Sequence, residues 1–326
     1  MGDFGKHVLD LDLDAEITRI TNAIRKSVGT LRRRGVVVAL SGGIDSSVVG
    51  GLAVAAVGKK KVFGLLMPEQ DSSDETRKLS RSLVEHFGID HAEEEITPVL
   101  EGVGCYRRRD EAIRRAIPEY GEGWKSKIVL PSVVDTEQLR VFSVVAENPS
   151  GETVRARLDL PGYLGVVAAT NFKQRTRKML EYYHADRLNY LVAGTPNLLE
   201  YDQGFFVKNG DGAADIKPIA HLYKTQVYRM AEALGLPEEI CSRAPTTDTY
   251  SLPQSQEEFY FSLPYDKMDL CLYARDHGVS AEEAAPVVGI PADAVERVYK
   301  DIDGKRRVAE YLGSPPLTVA DIEAHG

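Results

Sequence analysis

The chain has 326 residues, 43% of them apolar and 27% charged, with a formal net charge of -9. That length can bury a large core as one domain with elaborations, and the acidic balance argues against a nucleic-acid partner, whose phosphates call for a basic surface. No run is long and apolar enough to span a bilayer, and the charged start, Met1 to Asp14, is unlike a signal peptide. Cys105, Cys241 and Cys271 are scattered, with neither metal-ligand spacing nor a disulfide framework, which fits a reducing cytoplasm. The basic runs Arg32 to Arg34 and Arg107 to Arg109 read as solvated faces.

Leu13, Ile17, Ile20, Ile24, Val28 and Leu31 recur at helical spacing and predict an amphipathic opening helix. Val36 to Leu40 is a continuous apolar run of the kind a buried parallel strand shows. A small-residue helix is expected over 45–57, a strand over 61–67, a helix over 73–87 and a strand over 92–96. A further helix over about 173–186 leads into a strand over 189–193. This alternation predicts an α/β fold, a doubly wound parallel sheet with helices on both faces. Residues 104–161 break the rhythm and read as an insertion in a single domain spanning 1–326. The insertion holds a charged helix-like part (107–117), strand-like parts (139–145 and 153–158) and a turn at Asn148-Pro149-Ser150-Gly151. A small helical part is expected over about 265–326. Ser280 to Glu283 looks like a capping box there, and Val295, Val298, Tyr299 and Ile302 mark an inner helix face. Two short helices joined at Gly289 could imitate a DNA-reading pair, but the acidic setting favours a packing role.

The chemistry concentrates at the end of the first strand. Ser41-Gly42-Gly43-Ile44-Asp45-Ser46-Ser47 sets a glycine turn before a helix, so backbone N–H groups gather at a helix N-terminus and bind anions. The glycines admit a phosphate close to the backbone, and Ser41, Ser46 and Ser47 offer hydroxyls. Asp45 repels phosphate, so its use is to hold the magnesium that accompanies ATP. No Lys-Ser or Lys-Thr follows the glycines, which separates this loop from the kinase-like phosphate loop and points to AMP-forming chemistry. Met67 closes the second strand, where adenine could stack on apolar atoms; plain strand core is the equal alternative for its neighbour Leu65.

A second constellation follows the last strand, Gly194-Thr195-Pro196-Asn197-Leu198-Leu199-Glu200, and continues through Phe205, Lys208, Asp211 and Asp215 to Pro218. Together with Leu65 to Pro68, Asn171 to Arg177, Leu222 to Gln226, Ala244 to Asp248 and Lys305-Arg306, it resembles the ammonia-dependent NAD synthetases of the adenine nucleotide alpha hydrolase class. Those enzymes amidate the nicotinate carboxylate of deamido-NAD. The resemblance reaches across most of the chain apart from the insertion. It implies ATP as co-substrate, magnesium held by Asp45 and Glu200, and ATP contacts from Thr195 and Arg177. Lys224 and Thr246 would lie around the ATP phosphates, with Lys224 and Asp45 serving catalysis. Phe205, Lys208, Asp211 and Asp215 would hold the dinucleotide, and Arg175 would face the ligands.

The implied chemistry is coherent: a carboxylate attacks the α-phosphate of ATP to become an acyl-adenylate, and ammonia displaces AMP. Positioning and charge neutralisation then carry the catalysis, without a side-chain nucleophile. The resemblance also implies a homodimer, with Met179, Leu180 and Tyr183 supplying an apolar stripe on the helix near 173–186. Free ammonia, or ammonia from a separate glutaminase, would be the nitrogen source, since no glutaminase segment precedes the synthetase part. His184 and His221 match no ligand position and read as structural; Asp211, between two glycines, could equally be a turn former.

Three departures fall on the acceptor side. Pro196 to Leu199 is less polar than the family's stretch, aromatic bulk at Phe259, Tyr260 and Phe261 replaces a glycine, and the insertion is longer than usual. The alternatives are therefore an AMP-forming amidoligase for another carboxylate, a tRNA-modifying relative, or a non-catalytic ATP-binding regulator. Acidic charge and unpaired cysteines disfavour the second of these, and retention of Asp45, Glu200 and Lys224 disfavours the last.

Overall fold

The computed structural model describes residues 4–130, 142–243, 250–254, 260–261 and 263–325. Four parallel strands form the central sheet in the order β3-β2-β1-β7, from β1 (Val36–Ala39), β2 (Val62–Leu66), β3 (Asp90–Glu93) and β7 (Leu191–Ala193). Side-chain parity sets the layering, because alternate residues of a strand face opposite ways. Val36, Val38, Leu191 and Ala193 join one core with the helices α1 (Leu13–Thr30), α2 (Ile44–Val57), α3 (Asp74–Phe87) and α8 (Lys224–Ala233). Val37, Phe63 and Val192 point the other way, onto Ala185 of the long helix α6 (Leu160–Leu188). Each strand valine or leucine so buried contributes roughly 1.5–3 kcal/mol against exposure. Both faces are covered, as the alternation of elements predicts.

The local signals act as expected. Ser73 caps α3 by accepting from Thr76 N–H. Asn189 ends α6 in the left-handed conformation, with φ 56°. Gly50 in α2 lets the helix press onto α3: a Cβ there would lie 2.9 Å from the Phe87 ring.

Several boundaries differ from the sequence reading. The strand placed at 92–96 lies at Asp90–Glu93, an exposed edge strand without the apolar run that marks an inner one. Helix α6 begins at Leu160, well before 173, because Asp159 caps it on Gly162 N–H. Within 104–161 the helix is α5 (Cys105–Ile113), preceded by α4 (Thr97–Gly102). The antiparallel sheet there has three strands: β5 (Ser143–Glu147) between β6 (Thr153–Arg157) and a strand missed in the sequence, β4 (Lys125–Val129).

The remaining helices are α7 (Leu198–Gln203), α9 (Glu238–Cys241), α10 (Tyr265–Asp276), α11 (Ala281–Val288), α12 (Ala292–Gly313) and α13 (Val319–His325). Ser280 and Glu283 form the expected capping box. Val295, Val298, Tyr299 and Ile302 are buried in a second core with α10 and α11, so the helices around Gly289 pack, and α12 is long at 22 residues. Arg109 corrects the reading of its basic run. It is buried and bonds Asp71 at 2.8 Å, in a network where Lys173 joins Asp71 and Glu69 and the Tyr106 hydroxyl donates to Glu69. The three cysteines are free. Among the described residues no helix is long and apolar enough to cross a membrane.

Candidate active site

The glycine loop lies at the carboxyl edge of β1, where helix α2 departs. Gly42 is held at φ +75°, and a Cβ there would meet Leu79 Cβ at 2.9 Å and the Thr76 carbonyl at 3.1 Å. Its need for glycine thus comes from α3 packed behind the loop, and it does not line the cavity in front. Gly43 is open on that side; only the Ser41 hydroxyl, 3.3 Å from an added Cβ, lies near. The Ser46 and Ser47 hydroxyls both donate to the Gly43 carbonyl, at 3.0 and 2.7 Å. Ser47 is fully buried and shapes the loop from behind instead of offering its hydroxyl to a ligand. Among the described residues the N–H groups of Ile44, Asp45 and Ser46 have no acceptor, so the first turn of α2 stands ready for an anion.

Asp45, on that first turn, is the hub of the polar centre. Its Oδ2 is bound by the Lys224 ammonium, and its Oδ1 accepts from Asn197 Nδ2 at 3.0 Å. Asn197 caps α7 in a reciprocal box: its Oδ1 accepts from Glu200 N–H, and Glu200 Oε2 accepts from Asn197 N–H, both at 3.2 Å. Two carboxylates from distant parts of the chain are thereby tied to one amide side chain. Lys224 is fully buried, against the ordinary expectation of a solvated lysine at a helix start. Burial alone would lower its pKa, but the Asp45 and Glu200 carboxylates outweigh that and raise it, so it stays charged. Behind it, fully buried Asp269 accepts Lys224 N–H at 3.3 Å, Thr225 N–H at 2.8 Å and the Thr225 hydroxyl at 2.7 Å, and so holds the start of α8. Burial pushes the Asp269 carboxyl up to about 6.

In front of this centre opens a cavity of about 1240 Å³. Ser41, Gly43, Ile44, Asp45, Ser46, Met67, Arg175, Arg177, Thr195, Glu200, Phe205, Lys208 and Asp211 all line it, as expected from the sequence. Gly42, Ser47, Lys224 and Asp215 do not. Lys224 acts from beneath, through Asp45. Asp215 is exposed, and its carboxylate accepts Val192 N–H at 2.8 Å and the Tyr182 hydroxyl at 3.4 Å, a tie at the sheet edge. Thr246 and Phe259 lie outside the described residues. Asp211 serves as a turn former while lining the cavity: it accepts Val207 N–H at 2.7 Å, and burial raises its pKa. Lys208 donates to the Tyr311 carbonyl at 2.8 Å and to Ser314 at 3.3 Å, pinning the end of α12.

Residues left without a role in the sequence reading also line the wall. Lys178 and Glu181 form a buried pair at 2.6 Å, with burial raising the glutamate. Lys305 projects beside Tyr260, whose carbonyl accepts from it at 2.6 Å. Phe205 packs on Tyr260 with ring centroids 4.7 Å apart, so the aromatic bulk is real where it is described. Leu199 and Leu198 turn away into the core of α10 to α12, which explains their apolar character without reference to the acceptor. Both histidines are structural: His184 stacks on Phe63 and meets Glu94 at 3.1 Å, and His221 meets Glu16 at 2.6 Å.

A doubly wound sheet, an anion-ready helix start at its carboxyl edge and two carboxylates beside it define a nucleotide-binding α/β enzyme. The family described as NAD synthase matches residues 16–114 and 153–308. The NH(3)-dependent NAD(+) synthetase of Mesorhizobium japonicum is 57% identical over 316 residues, covering 97% of this chain and 99% of that one. Two solved structures are similar: an NMN synthetase from Francisella tularensis (TM-score 0.65, 24% identity, 95% of this chain and 99% of that one) and an NH3-dependent NAD synthetase from Campylobacter jejuni (TM-score 0.62, 22% identity, 95% and 100%). At those identities the two speak for the fold alone. The chain belongs to the NAD synthase family.

Proposed function

We propose that this chain amidates the nicotinate carboxylate of deamido-NAD with ammonia at the expense of ATP, giving NAD, AMP and pyrophosphate. The observation that carries the reading is the linked set Lys224–Asp45–Asn197–Glu200 beside the open first turn of α2, in a chain 57% identical to an NH(3)-dependent NAD(+) synthetase. The acceptor carboxylate oxygen bonds to the α-phosphorus and expels pyrophosphate. Ammonia then adds to the acyl carbon, loses a proton and expels AMP. The N–H groups of the α2 start bind phosphate oxygens, and the Lys224 charge, delivered through Asp45, fixes the carboxylate where it faces them. Arg177 and Thr195 on the cavity wall are suited to the triphosphate, and Phe205, Lys208, Asp211 and Arg175 to the dinucleotide.

Magnesium fits the donor set. Asp45 and Glu200 offer carboxylate oxygens tied to Asn197, and the ion is ordinarily held by one or two carboxylates plus substrate phosphates. Bound there, it would supply charge neutralisation for the leaving pyrophosphate. The deciding experiment incubates the protein with ATP, magnesium, ammonium and deamido-NAD and separates the products. NAD with equimolar AMP and pyrophosphate is expected; ADP, or no NAD, would overturn the reading. Replacing ammonium by glutamine should stop the reaction unless a separate glutaminase is added.

The assembly we propose is a homodimer through α6. Met179 and Tyr183 are 56% and 59% exposed on that helix, whereas Leu180 turns inward onto Met67 and its neighbours. Light scattering at assay concentration should give twice the chain mass, and an active monomer would remove the idea.

A further inference from the structure

Residues 115–152 fall between the two stretches that the family matches, yet the insertion reaches the cavity. β4 ends at Val129 and β5 begins at Ser143, so Leu130 and Phe142 project from the same end of the small sheet, and both line the cavity. Phe142 stacks on Tyr163 of α6, with ring centroids 3.8 Å apart and planes within 14°. Leu164, Val167 and Tyr250 extend the wall, and none of these six residues is charged. The outer edge of β4 is fixed in place: Ser126 N–H donates to the Ser251 hydroxyl at 2.9 Å, and Gln254 Nε2 donates to the Ile128 carbonyl at 2.6 Å.

This apolar wall is remote from the charged end of the same cavity. Tyr163 and Glu181 both line it from α6, eighteen residues and therefore about 27 Å apart along the helix. The Glu181 end holds Lys178 and Asp211, whose charges act on Lys217, and Lys217 packs on Gly194 beside Thr195. Leu65 and Met67, suited to the adenine of ATP, belong to a different apolar cluster from Tyr163 and Phe142. The far wall is therefore left for a second planar ring on the other substrate.

Resting on the functional reading above, we infer that Phe142, backed by Tyr163, is the stacking platform for the adenine end of deamido-NAD. The insertion thereby selects the dinucleotide over its mononucleotide half, nicotinate mononucleotide. Base–aromatic stacking is sequence-tolerant and sensitive to loss of the ring, so removal of Phe142 should weaken the dinucleotide roughly five- to a hundredfold. The test is steady-state kinetics of the full chain with wild type, Phe142→Leu and Phe142→Tyr. Phe142→Leu keeps apolar volume and loses the ring face. Its deamido-NAD KM should rise by that factor, more than kcat falls, and Phe142→Tyr should restore it. With nicotinate mononucleotide as acceptor, which has no second ring, wild type and Phe142→Leu should give the same KM.

Equal KM values for deamido-NAD in wild type and Phe142→Leu would overturn the assignment. So would a rise of the same size in the ATP KM, which would give the ring to ATP instead. A wild type that makes no NAD at all would overturn the functional reading itself and this inference with it, a result distinguishable from the other two.

Discussion

Asp45→Asn separates the catalytic and structural duties of the polar centre. Lys224 is fully buried and its ammonium is bound to Asp45, whose side chain is 16% exposed. Removing one partner of a buried pair typically costs about 3–5 kcal/mol, because the other charge is left uncompensated. Asp45 opens on the cavity and Glu200 still acts on the lysine, so the lower end applies, about 3 kcal/mol. For a chain of this size that lowers the melting midpoint by roughly 4 °C. Lys224→Met leaves a carboxylate that is part-solvated and still held by Asn197, so it should cost only about 1 kcal/mol. The double variant removes both charges and should cost about 2 kcal/mol where additivity would give about 4, a coupling of about 2 kcal/mol. All three should lose turnover by about a hundred- to a thousandfold. Denaturation followed by circular dichroism, with NAD formation on the same samples, reads both quantities. An Asp45→Asn protein melting with wild type, or strictly additive losses in the double variant, would refute the buried-pair argument; near-normal activity would remove Asp45 from the machinery.

Glu200→Gln should abolish turnover at limiting magnesium while costing under about 1 kcal/mol of stability, since Gln keeps the cap acceptor for Asn197 N–H; retained activity would take Glu200 out of the metal site. Asp269 gives a pH dependence. Its folded carboxyl, near 6, lies above the ordinary aspartate value of 3.8, so as pH falls the folded state takes up a proton before the unfolded state does. Its ionised form therefore costs stability above about pH 6, and the cost is relieved as pH falls from about 6 to about 4, a span of order 3 kcal/mol. The difference in stability between wild type and Asp269→Asn, followed from pH 7 to pH 4, should change in wild type's favour; a flat difference would contradict the buried carboxyl. Lys208→Ala should raise the deamido-NAD KM roughly ten- to a hundredfold and leave the ATP KM much less affected, although part of the loss will come from releasing Tyr311 and Ser314 at the end of α12.

How much of this was legible in the sequence depends on whether a residue's role is local. The glycine loop and the start of α2 are contiguous, and the apolar run of β1 announces the strand before them, so fold and loop could be read together. Lys224 and Asp45 are 179 positions apart. Nothing in the neighbourhood of either residue specifies their pairing, and the resemblance to a known family was what brought Lys224 forward. Asn197 is the opposite case. Asn-Leu-Leu-Glu is a readable capping pattern, but the apolar pair inside it drew the reading toward the acceptor, whereas those leucines pack the C-terminal core. β4 was missed because its inward positions are Ser126 and Ile128 and its outward ones include two lysines, which leaves little hydrophobic alternation to detect. Arg109 looked solvated because its partners, Asp71 and the network at Lys173, come from other elements.

These misreadings share a cause with the design of the site. An ion pair buried beneath the open first turn of α2 needs partners from separate elements, because neighbours on one helix cannot both approach the loop from beneath and across the sheet. α8 supplies the cation, α2 the carboxylate and α7 the amide that ties in Glu200. Two of the helix starts are held independently, by the Asn197 box and by Asp269, while the first turn of α2 keeps the N–H groups of Ile44 to Ser46 open. A site assembled from three helix starts keeps its charges in register without any one loop specifying them. Leu130 and Phe142, on the far wall of the same cavity, come from the insertion and share no element with these three starts.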